Sequence, residues 1–91
     1  MTSIYFKFAR LILNWMENLK DEIEKWTHRA KEKRKRIKIS KEHEKLMVNI
    51  DAYISDSEHF LRKKDLIRSF EAIIWAWAWI EILQELGIVS E

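Results

Sequence analysis

The sequence predicts an all-α protein: a three-helix antiparallel bundle, up-down-up, of the spectrin or albumin-binding-domain kind. Three observations predict it. The 91 residues hold no proline and one glycine, so tight strand-to-strand turns have little to be built from. Apolar residues recur at three- and four-residue steps through three long stretches, the period of a helix with one buried face. The breaks between those stretches are short and polar, and short connections make antiparallel neighbours. A chain of this length is one domain, residues 1–91, with a modest core.

The third helix, about 66–86, frames the fold. Asp65 is placed to cap its first turn, and Gly87, the only glycine, stands where a helix ends in a left-handed residue. Ile67, Phe70, Ile73/Ile74, Trp77, Ile80 and Leu83/Leu86 keep the spacing of a buried face. Residues 72–80 carry no charge and hold three of the five tryptophans. Trp75 falls between Arg68 and Glu71 around the helix, on the side that should meet water. A tryptophan there either lies flat on its neighbours or anchors a partner.

The first helix, about 3–30, starts near Thr2 or Ser3. Its stripe runs Tyr5, Phe8, Ile12, Trp15/Met16, Leu19, Ile23, Trp26, Ala30. The next position in step is Arg34, so the packed part ends near Ala30 and the helix itself anywhere from 30 to 37. The second helix, about 41–63, is capped by Ser40. It buries Leu46, Met47, Ile50, Tyr53, Ile54, Ser57, Phe60 and Leu61. Residues 88–91 form a short tail.

At about 1.5 Å per residue, the first helix outruns the second. The excess end carries Ile4, Tyr5, Phe6 and Phe8, and exposed apolar surface of that kind is usually covered. Aromatics make up 12% of the chain, more than a small core needs. The expectation is a homodimer using these four residues together with Trp75.

Charge is uneven. Net charge is +2, yet Arg29–Lys38 holds seven basic residues and one acid. Lys33, Arg34, Lys35 and Arg36 are the candidate phosphate contacts of a nucleic-acid binder. No aromatic interleaves them, so base stacking is not offered, and a solvated connection is the plainer reading. No cysteine is present, which excludes disulfides and thiolate metal sites and fits a reducing cytoplasm. A membrane span is not expected, because Glu71 and Glu81 interrupt the longest apolar run. The start lacks a basic region before its apolar residues and a cleavage site after them, so no signal peptide is expected.

No catalytic set and no metal set emerges. Asp56 and His59 form one carboxylate–imidazole pair, whereas bundle metal sites draw ligands from several helices. Asp51, Asp56, Glu58 and Glu71 have no nucleophile or glycine loop beside them. Tyr53 and Asp56 read best as a buried polar network; a ligand or hydrolase site around Tyr53, Asp56 and Trp79 is the sharper alternative. Neither an enzyme nor a cofactor is expected.

The second half resembles a known pattern. Leu46-Met47, Asn49, Tyr53, Asp56-Ser57 and Phe60-Leu61 lead to Lys64-Asp65, Phe70-Glu71-Ala72-Ile73, Trp75-Ala76, Trp79-Ile80-Glu81 and Leu86-Gly87. Over residues 43–88 this resembles the archaeal family labelled domain of unknown function 357. Departures are Trp75 for the usual tyrosine, Ala78 for glycine and Glu81 for aspartate. The resemblance implies a three-helix bundle in an archaeal cytoplasm and implies no activity. The functional expectation is a self-associating interaction or scaffold module; the alternative is an accessory nucleic-acid binder using Arg29–Lys38.

Overall fold

In a computed structural model, the structure describes the backbone of residues 2–91 and the side chains of Asn14 and residues 16–91. Three helices pack on one another: α1 (Thr2–Arg36), α2 (Lys45–Arg62) and α3 (Leu66–Glu85). Two strands of two residues, β1 (Lys38–Ile39) and β2 (Val89–Ser90), pair antiparallel and tie the end of α1 to the tail. A 3-10 turn, Lys41–His43, leads into α2.

The helices begin and end where side-chain and backbone chemistry requires. Asp65 accepts from the Arg68 amide and caps α3, as its short carboxylate predicts. Ser40 does not cap α2 directly. It stands before the 3-10 turn, where its hydroxyl bonds His43 Nδ1 at 2.9 Å. Both α2 and α3 end in the same double closure. The Lys64 and Asp65 amides reach back to Leu61 and Phe60, and the Gly87 and Ile88 amides to Gln84 and Leu83. That is the Schellman pattern, and it needs one left-handed residue each time. Gly87 supplies one with φ +71° and Lys64 the other with φ 61°.

The core lies between α2 and α3 and extends to the upper half of α1. Ala30, Ile37, Met47, Ile50, Ile54, Ile73, Ala76, Ile80, Leu83 and Val89 form it, with Tyr53, Phe70, Trp77 and Trp79 packed on its margin. Small residues set the closest approach of the helices. Ser57 and Ser69 are fully buried between α2 and α3, and Thr27 joins them from α1. The Thr27 and Ser57 hydroxyls lie 3.3 Å apart. Ser57 Oγ donates to the Ser69 carbonyl at 2.9 Å, and Ser69 Oγ donates to the Ser57 carbonyl at 2.6 Å. Each hydroxyl has a partner, as burial demands.

Several expectations are corrected here. The packed part of α1 does not stop at Ala30. The helix runs to Arg36, and the next apolar residue, Ile37, is buried in the core cluster. The tail folds back as β2 and buries Val89. Thr27, not Trp26, takes the inward position on α1, since a hydroxyl fits the narrow gap and an indole does not. Ile67, Ile74 and Leu86, expected in the core, face solvent, while Ser69, a polar residue, is inside.

The helices differ in length, and α2, expected over 41–63, is the shortest because the 3-10 turn takes its start. α1 has 35 residues, about 52 Å, against 18 and 20 for α2 and α3. The molecule is 60 Å long and 26 × 16 Å in section. Leu19 is the first buried side chain described on α1; Asn14 and Met16–Asn18 before it are exposed.

Candidate interaction surface

The outward side of α3 is apolar almost along its whole length. The inner face takes Ser69, Ala72, Ile73, Ala76, Ile80 and Leu83. Rotating about the helix leaves Ile67, Ile74, Trp75, Ala78, Ile82 and Leu86 on the other side, interrupted by Glu71, Glu81, Glu85 and Arg68. Trp75 is 55% exposed, Ile67 65% and Leu86 67%. Trp75 does face water, as its position between Arg68 and Glu71 suggests. One side of its indole is covered by Tyr53, with ring centroids 6.2 Å apart and planes 20° from parallel. The other side is open.

Beside this face lies a groove between α1 and α3. Trp26, Phe70, Ile73, Ile74, Trp77, Ala78 and Glu81 line a space of about 400 Å³. The Trp26 and Trp77 rings meet edge to face, centroids 5.8 Å apart, and the Trp77 indole N–H donates to the Trp26 carbonyl at 3.1 Å. The Trp26 indole N–H donates to Glu22 at 2.9 Å. Lys25, foremost, and that indole hold the Glu22 carboxyl below its ordinary range. Arg29 stands over the Trp26 ring, 4.9 Å from its centroid. The walls of the groove are thus fixed from within, which is what a preformed site requires.

Tyr53 and Asp56 do not form the expected buried pair. Asp56 is exposed, because it falls roughly 60° further round α2 than Tyr53, away from the arc of buried Ile50, Ile54 and Ser57. Tyr53 is half-buried and spends its ring on Trp75. The buried polar network runs instead through Thr27, Ser57 and Ser69. Ser57 lies on the apolar stripe of α2 and was legible as an inward hydroxyl; its partners on the other helices were not.

The basic stretch is largely spent on internal partners. Lys31 pairs with Glu58 at 2.9 Å. Arg34 holds Asp51 through two bonds, 2.6 and 3.1 Å. Lys33 and Arg36 both reach Glu91, at 3.1 and 3.2 Å, and Lys35 reaches Glu32 at 3.3 Å. All four candidate phosphate contacts therefore face carboxylates. Ile4, Tyr5, Phe6 and Phe8 lie outside the described side chains; only their helical backbone is described. Among the described residues no group of three or more His, Asp or Glu is gathered to hold a metal, and no helix is long and apolar enough to cross a membrane.

A family model described as "Protein of unknown function (DUF357)" matches residues 14–89. The crystal structure of a protein from Archaeoglobus fulgidus, assigned to the same family model, superposes with a TM-score of 0.77 at 49% identity. The superposition covers 84% of this chain and 96% of that one. No curated protein matches.

Proposed function

This chain belongs to the family of unknown function DUF357, and from that premise we propose that it is a self-associating helical interaction module, dimeric and without catalytic chemistry of its own. One observation carries the reading: Ile67, Ile74, Trp75, Ile82 and Leu86 stand exposed together on one side of α3. Apolar side chains grouped on one exposed helix side mark an interaction site more often than a bare surface, even with Glu71 and Glu85 among them. The first turns of α1 carry Ile4, Tyr5, Phe6 and Phe8, apolar residues that this reading assigns to the same contact. A second copy offers both surfaces at once. A cytoplasmic setting belongs to the same reading and is supported by the absence of cysteine.

The nucleic-acid reading is weaker for a stated reason. Lys33, Arg34, Lys35 and Arg36 each have a carboxylate within 3.3 Å, and phosphate would have to displace it. Binding through counterion release draws on free cations.

Size exclusion with light scattering tests the proposal. The full chain is expected to run as a dimer at tens of micromolar. Trp75→Ala should shift it toward monomer. Its cost to folding should stay below the ~3–5 kcal/mol of a fully buried Trp→Ala change, since Trp75 is 55% exposed. A monodisperse monomer of the parent chain would falsify the reading. So would a variant that loses stability on the scale of a core cavity and still associates.

A further inference from the structure

The first turns of α1 and the groove beside Trp26 fit one another in length, apolarity and charge. The backbone is helical from Thr2. In a helix, Ser3, Lys7, Arg10 and Asn14 fall on one strip roughly 60° wide, and every other position from 4 to 16 is apolar. A helix apolar over so much of its circumference is ordinarily enclosed. α2 and α3 end at their connection, and Leu19 is the first buried side chain described on α1. The segment carries two cations and no acid before Glu17. The outward side of α3 carries Glu71, Glu81 and Glu85 against Arg68 alone.

We propose that residues 2–16 of α1 dock in the Trp26–Trp77 groove of a second copy, the two copies exchanging these segments reciprocally about a two-fold axis. This rests on the self-association reading and adds to the Trp75 side of α3 a second contact, made by the groove. Crossing two α1 helices antiparallel near residue 15 lays residues 4–12 of one copy beside residues 18–26 of the other. That is the level of Leu19, Ile23 and Trp26, where the groove opens. The segment then stands as a fourth helix against each three-helix bundle, over Phe70, Ile74 and Ala78. Lys7 and Arg10 come to the acidic rim. Tyr5, Phe6, Phe8 and Trp15 bring about 150–250 Å² each when covered. That is on the order of the ~800 Å² per partner of a standard interface.

The absence of native cysteine makes cross-linking clean. Tyr5→Cys chains are mixed with Ile74→Cys chains and treated with a short bismaleimide. A covalent heterodimer is expected. Tyr5→Cys mixed with Val48→Cys, exposed on the outer side of α2, should give none. Lys7→Glu with Arg10→Glu should weaken the dimer about tenfold. Adding Glu71→Lys and Glu81→Lys should restore it, a rescue that misfolding would not produce. A dimer that cross-links to position 48 rather than 74, or that shows no charge rescue, overturns the exchange and leaves self-association standing. A monomer removes both. Flotation of the full chain with vesicles of phosphatidylglycerol, with loss of the dimer, would assign the segment to a lipid surface and overturn the exchange.

Discussion

At the scale of single residues, the buried hydroxyls decide how close the three helices come. Ser69 and Ser57 bond each other's carbonyls, which uses both of their protons, so Thr27 is the donor to Ser57. The roles are unequal. Removing the Ser57 hydroxyl leaves the Thr27 donor and one bond to a carbonyl unmet, whereas removing the Thr27 hydroxyl strands only a lone pair. Ser57→Ala should therefore cost about 1–2 kcal/mol, and Thr27→Val, which keeps the shape, under about 1 kcal/mol. Urea unfolding of the two variants checks the order; equal losses, or the reverse order, would discard this assignment of donors. The sequence marks Ser57 as inward because it falls in step with Ile50 and Ile54. It does not mark Ser69, whose neighbours Arg68 and Glu71 read as a wet face, nor does it separate Tyr53 and Asp56. Those depend on which few degrees of each helix meet the next, and local spacing does not carry that.

At the scale of elements, ends that rest on local chemistry were legible and ends that rest on distant partners were not. Asp65 and Gly87 announce the limits of α3 through their own backbone preferences. The end of α1 has no such signal. Its last turns are held by Glu58, Asp51 and Glu91, all remote in sequence, and the chain just beyond them by the pairing of Ile39 with Val89. The tail therefore depends on pH. Lys33 first, then Arg36, lower the Glu91 carboxyl below its ordinary value of 4.5. A group whose folded value is depressed stabilises above the unfolded value, and the contribution fades as pH falls through the folded one. Amide exchange at Val89 should thus accelerate relative to the α2 core on acidification below 4.5, and Lys33→Ala should blunt the effect. Exchange at Val89 that tracks Ile50 at every pH would show that the ion pairs do not hold the tail. Glu91 is exposed, so a small change confined to the tail is expected.

At the scale of the whole molecule, the sequence announces more apolar helix than one bundle covers. The structure enlarges that excess by turning Ile67, Ile74 and Leu86 outward. Spacing alone places these three in the core, because helical period gives the width of an apolar stripe and not which part of it a neighbour reaches. With α2 and α1 both on one side of α3, roughly half its circumference stays open. If a second copy closes it, folding and association are one equilibrium, and stability must rise with protein concentration. Each ~10-fold increase should lift the melting temperature of the full chain by a few degrees, given how steeply a domain of this size responds to added free energy. Trp75→Ala and the Lys7→Glu, Arg10→Glu pair should flatten that dependence by separate routes, one through the α3 face and one through the first turns of α1. Calorimetry from about 5 to 500 µM spans enough of the curve to see it. A melting temperature that does not move over that range would mean the open face of α3 is stable in water as it stands, and the excess apolar surface would need a different partner.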